Sequence, residues 1–331
     1  MPAAVGFGLR EGGVWAWSGV GVVFLIVPML EGLLGRSPAQ APRPRTLAAD
    51  LPLWAILPVQ ILLTALALDL AADATRGAME RFGAVLSCGV VSGGVGIVAA
   101  HELIHRKSAA ERALGEALMA LVNWPLYPIE HVLGHHRTVG TPADPATAPR
   151  GMGFWNFLPR VMTGEVRSAW RIEGERLRRR GLRAGSWSDR RLRGPLAMAA
   201  LNAGVLAAWG PVGWLAYLIS GLVAVTLLQA VQYVEHYGLA RAALPEGGFA
   251  PQSAAHSWDS EHRAAKAILF QLPRHADHHL LAARPYPELA EHPESPQLPG
   301  GYAQMILLAL VPPLWRRAMD RRLPHGGTAA A

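Results

Sequence analysis

Nine of the thirteen histidines in this 331-residue chain fall into four compact groups. Imidazole nitrogen binds zinc, copper, iron and nickel well, so clustered histidines indicate a transition-metal site without selecting the metal. One zinc ion takes about four ligands, and nine imidazoles therefore imply two metal ions. The nine candidate ligands are His101, His105, His131, His135, His136, His236, His275, His278 and His279.

The spacing within the groups predicts how the side chains converge. Residues four apart share one face of an α-helix, so His101 with His105, and His131 with His135, are each expected to point at a common centre. Adjacent residues point about 100° apart, so His135 and His136 are expected to serve neighbouring metals. Several histidines together at a membrane boundary indicate function, because ionisable groups near a bilayer are rare otherwise.

Each histidine group lies beside an apolar stretch that is long enough to cross a bilayer. The chain is 51% hydrophobic, and about 20 apolar residues in a helix span the hydrocarbon core. We therefore expect an all-α integral membrane bundle with about five spans, forming a single domain over residues 1–324 before a disordered tail at 325–331. The predicted spans are 14–34, 51–71, 83–104, 195–210 and 212–235.

Two further apolar stretches, 112–129 and 302–315, are predicted to be interfacial or re-entrant. Prolines interrupt both: Pro125 and Pro128 in the first, Pro312 and Pro313 in the second. If 112–129 crossed the bilayer, the first histidine group would be separated from the second by the full membrane thickness.

Arginines orient the predicted spans. Residues 160–193 contain eleven arginines against four acids, and such loops stay on the cytoplasmic side. This places all four histidine groups on the cytoplasmic side of an inner membrane, with the N-terminus outside. Membrane topology also explains the excess of 31 Lys and Arg over 24 Asp and Glu, so we expect no nucleic-acid partner. The arginine-rich surface suits an acidic redox protein or anionic lipid equally well. The single cysteine, Cys88, allows no disulfide framework within the chain.

Four motifs carry a resemblance to a known family. They are His101-Glu-Leu-Ile-His105, Glu130-His131 through His135-His136, Glu235-His236-Tyr-Gly238, and Leu272-Pro-Arg-His275 through His278-His279. Over about residues 85–322 their order and spacing resemble the membrane-bound alkane 1-monooxygenase family, which is similar in histidine pattern to membrane fatty-acid desaturases. The glutamate-histidine-tyrosine-glycine element distinguishes it from most desaturases.

The resemblance implies two non-haem irons held by the nine histidines. It also implies hydroxylation of the terminal carbon of an alkane-like hydrocarbon, with dioxygen and with electrons from a rubredoxin and its reductase. The substrate would arrive from the membrane lipid. Carboxylates often accept the outer N–H of a metal-bound imidazole; a surface position is nearly as compatible with Asp144. The expected outer partners are Glu102, Glu130, Glu235, His256 and Asp277.

The chain departs from the family pattern in two places. Its N-terminal part is shorter and lacks one span, and Asp259 and Glu261 stand where the family usually has asparagine. The histidines outside the four groups, His262, His292 and His325, are interpreted as surface residues.

Other functions remain open from the sequence. A desaturase acting on fatty acids or lipids, or a hydroxylase of aromatic methyl groups, would share the metal and differ in substrate. The motif from His101 to His105 is also the zinc-protease signature, but an intramembrane zinc metalloprotease would leave seven clustered histidines unexplained. A non-enzymatic metal transporter would predict ionisable residues in mid-span, and none stands out within 195–235.

Overall fold

The structure, a computed structural model, describes residues 1–38 and 40–324. The expected tail at 325–331, with His325, lies outside the described residues. The described part is helical, with isolated β-bridges and no strand. The α-helices are α1 (Pro2–Glu11), α2 (Ser18–Gly21), α3 (Val27–Leu34), α4 (Leu47–Ala72), α5 (Ala78–Val91), α6 (Ile97–Ile104), α7 (Ala109–Leu121), α8 (Tyr127–Glu130), α9 (His136–Thr138), α10 (Phe154–Arg179), α11 (Arg190–His236), α12 (Arg263–Ile268), α13 (His275–Leu280), α14 (Tyr302–Ala309) and α15 (Pro312–Met319).

Single turns of other helix types join several of these helices. π-helical turns at Val22–Ile26, Ser92–Gly96 and His131–His135 connect α2 to α3, α5 to α6 and α8 to α9. Short 3₁₀ turns lie at Gly13–Trp17, Ala254–His256 and Tyr286–Glu288. π-turns inside helices occur mostly at functional sites, and the third one carries two of the candidate ligands.

Four helical stretches of the described chain are long and apolar enough to cross a membrane: Gly13–Leu34, Leu47–Ala72, Ala78–Ile104 and Arg190–His236. The chain is therefore a multi-pass membrane protein. The first three stretches match predicted spans. As predicted, 112–129 and 302–315 do not qualify; they contain the shorter helices α7 and α14, of 13 and 8 residues.

The fourth stretch, α11, contains both remaining predicted spans. It bends at Gly210, whose φ of 65° and ψ of −172° are not helical. Trp214 Nε1 donates to Asn202 Oδ1 at 2.9 Å, whereas twelve residues of straight helix would separate these positions by about 18 Å. The two arms of α11 therefore fold back on each other at Gly210.

The described residues form two compact units. The first comprises Met1–Val27, Thr46–Pro128 and Glu173–Leu228; the second comprises Pro28–Arg45, Ile129–Ile172 and the chain from Gln229 onward. The single-domain organisation over 1–324 stays a prediction.

Close helix approach in the first unit depends on small residues. Gly19 of α2 lies against Ser87 of α5, and a Cβ at Gly19 would fall 2.6 Å from the Ser87 carbonyl oxygen. The Gly19 amide donates to Ser87 Oγ at 3.1 Å, and the Ser87 hydroxyl donates to the Ala16 carbonyl at 2.7 Å. In lipid such small residues let backbones approach closely, so that packing and hydrogen bonds hold the helices together.

Replacing Gly19 with valine is expected to destabilise the fold by about 1–3 kcal/mol, because α2 and α5 must separate to admit the side chain. The measurement is the thermal midpoint of the detergent-solubilised protein. Gly21 is the matched control, since nothing lies within 4 Å of its Cβ position. An unchanged midpoint for Gly19→Val would contradict this packing.

An aromatic core holds the end of α11 in the second unit. Phe154, Phe157, Tyr233, Tyr237 and Trp315 are all fully buried. The Tyr233 hydroxyl donates to the Met152 carbonyl, and the Tyr237 hydroxyl donates to Asp320 Oδ1, at 2.7 and 2.6 Å. This packing fixes the last turn of α11, where Glu235 and His236 lie.

One ionisable residue within an apolar stretch has a structural role. Glu31 of α3 is fully buried, and its carboxylate accepts from the backbone amides of Ala303 and Gln304 at 3.1 and 3.0 Å. These amides belong to the first turn of α14, where helical donors have no partner within the helix. Glu31 therefore caps α14.

Candidate metal centre

Three histidines of the second unit form one cluster. His136 Nε2 lies 3.1 Å from His131 Nε2 and 3.1 Å from His278 Nε2. His131 lies in the π-turn between α8 and α9, His136 is the first residue of α9, and His278 belongs to α13. We call these residues the histidine trio.

Four other histidines of the same unit form a second cluster. His279 Nε2 lies 3.0 Å from His275 Nε2 and 3.2 Å from His135 Nε2, and His236 Nε2 lies 3.1 Å from His275 Nε2. All four are buried, and their ligand atoms lie within 4.8 Å of one another. We call them the histidine quartet.

The geometry of both clusters fits metal ligation. Two imidazole nitrogens bound to one ion at about 2.1 Å, at right angles, lie about 3.0 Å apart. The Nε2 separations of 3.0–3.2 Å in the trio and the quartet have this spacing. The two clusters are neighbours, because the rings of His136 and His279 stack with centroids 4.4 Å apart. The second unit therefore contains two adjacent imidazole sets.

The turn that carries His131 and His135 differs from the predicted α-helix. We expected His131 and His135 to point at a common centre, yet His131 belongs to the trio and His135 to the quartet. The reason is the π-turn at His131–His135, in which i→i+5 bonding widens the turn and changes the four-residue register. His135 and His136 lie in different, neighbouring clusters, as their adjacent positions predicted; that they bind two metal ions stays a prediction.

A buried carboxylate orients the quartet ligand His135. Asp144 is fully buried; its Oδ2 lies 3.0 Å from His135 Nδ1 and accepts from Thr147 Oγ1 at 2.6 Å. Burial would raise the pKa of Asp144, but the charge and hydrogen bond of His135 outweigh it and lower that pKa. The carboxylate is therefore ionised and turns His135 Nε2 towards the quartet.

A backbone carbonyl orients a second quartet ligand. The His256 carbonyl oxygen lies 3.2 Å from His236 Nδ1, so it accepts the outer N–H of that imidazole. The His256 ring itself faces Ser253, with Nδ1 3.0 Å from the Ser253 amide nitrogen. The residue predicted as an outer partner thus contributes its main chain.

Among the quartet histidines, His279 favours the neutral form. Burial, followed by the nearby imidazoles of His136, His275 and His135, holds the pKa of His279 well below its usual range. A neutral imidazole keeps the lone pair that a metal ion needs.

Glu235 contacts the quartet on the side where the Nε2 atoms converge. Its Oε2 lies 3.3 Å from Nε2 of His275, the nitrogen that faces the other ligands, and its Oε1 accepts from the Tyr302 hydroxyl at 3.1 Å. Burial, then the charge of Glu235, raises the pKa of Tyr302 and keeps the phenol protonated. The Glu235 carboxylate thus lies beside the ligand nitrogen of His275, where it could support a metal ion held by the quartet.

Two other predicted outer partners, Asp277 and Glu130, lie in the segments that carry the ligands. Asp277 accepts from Arg284 Nη1 at 2.7 Å and lies 2.7 Å from His292 Nε2; this ties α13 to the segment that follows it. Glu130 is fully buried. Burial, then the charges of Glu165 and Asp144, raises the pKa of Glu130 well above its usual value.

The first unit contains the remaining candidate pair. His101 and His105 lie at the end of α6 with ring centroids 5.3 Å apart. The predicted outer partner Glu102 forms an ion pair with Arg106, whose Nη2 lies 2.7 Å from Glu102 Oε1, and Arg106 also lies 3.3 Å from Asp50 Oδ1. An arginine holding Glu102 argues against the general-base role that a zinc protease requires of this glutamate.

The residues that fix the position of α13 were not predicted from the sequence. The Ala276 amide donates to Asp259 Oδ1 at 2.8 Å. Beside it, buried Glu261 pairs with Lys266 and Arg274. His262 was expected at the surface, which is wrong: it is 9% exposed, and its Nδ1 lies 2.9 Å from Ser260 Oγ. The available signal was a dense run of charged residues directly before the last histidine group.

Asp259→Asn is expected to stabilise the protein most at high pH. Burial raises the pKa of Asp259 to about 7, whereas an unfolded aspartate titrates near 3.9. The folded state therefore binds this proton more tightly than the unfolded state. The free energy of unfolding of the wild type falls as pH rises from about 4 to 7, and above pH 7 the wild type has the full destabilisation that the buried, ionised carboxylate causes. Asparagine keeps an acceptor for Ala276 without titrating, and the gain at pH 8 is at most about 4 kcal/mol.

The measurement is the difference in thermal midpoint between variant and wild type at pH 5 and pH 8. Glu294→Gln, at a side chain that is 61% exposed, serves as the control with no pH-dependent gain. If the thermal midpoint of Asp259→Asn exceeded that of the wild type by the same amount at pH 5 and at pH 8, Asp259 would titrate normally in the folded protein, and this prediction would be wrong.

The chain is similar in sequence to one family model and to several known proteins. The model of the Fatty acid desaturase family matches residues 80–309. Alkane 1-monooxygenase 1 of Pseudomonas aeruginosa is 42% identical over 317 residues, which cover 93% of this chain and 83% of that protein. Alkane 1-monooxygenase of Acinetobacter baylyi is 31% identical over 94% of this chain and 77% of its own length. The xylene/toluene monooxygenase hydroxylase component of Pseudomonas putida is 29% identical over 93% of this chain and 82% of its own length.

Proposed function

Since the chain belongs to the alkane 1-monooxygenase family, within the wider fatty acid desaturase family, we propose that it hydroxylates the terminal carbon of an alkane-like hydrocarbon with a pair of non-haem irons. The observation that carries the proposal is the pair of adjacent imidazole sets in the second unit, whose Nε2 atoms lie 3.0–3.2 Å apart. Seven histidines exceed the needs of one ion, so two irons are proposed.

The proposed ligand set contains nine histidines. Seven are the trio and the quartet. His101 and His105 are added because they are the first histidine box of the family resemblance, and because their four-residue spacing on α6 places both rings on one helix face. We propose Glu102, Glu130, Glu235, His256 and Asp277 as the residues that support the ligands, together with Asp144.

Each supporting residue has a definite task in this proposal. Asp144 and the His256 carbonyl hold the outer protons of His135 and His236, so these imidazoles cannot rotate or change tautomer. The Tyr302 hydroxyl holds Glu235 in place beside His275. The irons, when bound, supply the reduction of dioxygen and the oxidation of an unactivated C–H bond, chemistry that no protein side chain offers.

The substrate is proposed to reach the centre from the bilayer. A hydrocarbon has no polar group to bind, so apolar walls must orient it, and the membrane spans give it access. We further propose an inner-membrane location with the centre on the cytoplasmic side, supported by the eleven arginines of residues 160–193. A rubredoxin with its reductase is the proposed electron donor, supported by the family resemblance.

The test is aerobic turnover of the purified protein with a medium-chain alkane, a rubredoxin and its reductase. The proposal predicts the primary alcohol and matching oxygen consumption. Selective hydroxylation of a xylene methyl group instead would favour the second candidate, an aromatic methyl hydroxylase, which the 29% identical relative suggests. An acyl double bond as the product would show a desaturase and overturn the proposal.

A further inference from the structure

A strongly basic segment connects α10 to α11 in the first unit. Residues 178–193 contain seven arginines and one acid. α11 begins at Arg190 and is apolar enough to cross a membrane. The side chain of Leu196, which is 55% exposed, lies about 9 Å along the helix from Arg190. The segment therefore lies at the level where hydrocarbon gives way to lipid headgroups.

Two buried carboxylates shape this segment from within. Glu173 is bound by Arg176 and Arg190, with shortest contacts of 2.5 and 2.7 Å. Asp189 is bound by Arg191 at 2.6 Å. Burial would raise the pKa of Glu173, but the hydrogen bonds of Arg176 and Arg190 lower it to about 2. These contacts engage Arg176, Arg190 and Arg191, offset two of their three positive charges and fix the fold of the segment.

The other arginines of the segment face solvent. Arg178, Arg179, Arg180, Arg183 and Arg193 are exposed. They present several guanidinium groups together on a fixed frame. Guanidinium binds phosphate oxygens through two parallel hydrogen bonds.

Trp187 projects from the middle of the same segment. It is 85% exposed, more than any other large apolar side chain of the described chain. Tryptophan is enriched at the membrane–water interface, where its ring lies among the headgroups and its N–H meets water. The exposed indole and the clustered guanidinium groups therefore suit two parts of a bilayer surface. The indole suits the apolar edge of the headgroup layer, and the guanidinium groups suit the charged headgroups.

We propose that residues 178–193 bind the phosphodiester headgroups of anionic phospholipids, with Trp187 inserted at the level of the glycerol backbone. The exposed arginines contact the phosphates, while Glu173 and Asp189 hold the segment in the binding conformation. The lipid is favoured over an acidic protein because the segment adjoins a lipid-facing helix, where headgroups are always within reach.

The experiment titrates the full-length, detergent-solubilised protein with phosphatidylglycerol, and with neutral phosphatidylcholine, and counts bound lipids by native mass spectrometry. The variant R178Q/R179Q/R180Q/R183Q is expected to bind phosphatidylglycerol at least about tenfold more weakly. The matched control R316Q/R317Q/R321Q/R322Q removes four exposed arginines near α15 and is expected to bind like the wild type.

A second measurement does not depend on how the multiple variant folds. Phosphatidylglycerol with brominated acyl chains should quench tryptophan fluorescence of the wild type more than that of Trp187→Phe. Equal quenching of both proteins would overturn the proposal, as would equal loss of lipid binding in the two arginine variants. If the loop variant keeps its lipid and instead loses its response to an acidic redox protein, the surface belongs to a protein partner.

Discussion

Replacing His279 with alanine is expected to abolish hydroxylation and to remove about one of the two irons. His279 Nε2 contacts two other quartet nitrogens, those of His275 and His135, at 3.0 and 3.2 Å. Its loss opens the middle of the quartet, and the effect should exceed the 10–100-fold that loss of an outer contact costs. Alcohol formation and bound iron are measured on the same preparation.

His278→Ala makes the companion measurement on the trio. His278 contacts His136 at 3.1 Å, so this variant should also be inactive and should also keep about one iron. The control is His256→Ala, which removes a ring facing Ser253 and leaves the backbone carbonyl at His236 in place. Two irons and normal turnover in either ligand variant would refute the assignment of these clusters.

Replacing Asp144 with asparagine is expected to lower iron affinity or turnover by about 10–100-fold. The carboxylate accepts from His135 Nδ1 and from Thr147 Oγ1, and an amide of the same size carries no charge and can turn its NH₂ group towards His135. The KM for the alkane should change little, because Asp144 is fully buried beside a ligand.

Iron affinity is measured by competition with a chelator, and turnover is measured at saturating iron. Thr147→Val is the graded companion, because it removes one hydrogen bond to Asp144 and keeps the charge; a smaller loss is expected. If Asp144→Asn kept wild-type iron affinity and kcat, the carboxylate would have no part in holding His135.

Much of this organisation was predictable from the sequence because it depends on local pattern. The lengths of the apolar runs gave the spans, and the prolines gave the interruptions at 112–129 and 302–315. The number of clustered histidines predicted two metal ions, and the structure shows two adjacent histidine clusters in the second unit. The break between the predicted spans 195–210 and 212–235 coincides with the bend of α11 at Gly210, whose φ of 65° is not helical.

The arrangement of side chains around the histidine clusters depends on contacts between residues that are far apart in the chain. The sequence alone could not predict these contacts. The π-turn at His131–His135 adds no residue type that distinguishes it from an α-helix, yet it assigns His131 and His135 to different clusters. In the sequence, Asp144 is equally compatible with a surface position. Its complete burial beside His135 shows that its carboxylate orients this imidazole. The contact of Tyr302 with Glu235 joins residues 67 positions apart.

The metal content of the detergent-purified wild-type protein tests the central claim most directly. Elemental analysis against the concentration of polypeptide should give about two irons per chain, because the trio and the quartet each hold one ion. One zinc per chain, without iron, would contradict the account and would return attention to a protease built on His101-Glu-Leu-Ile-His105.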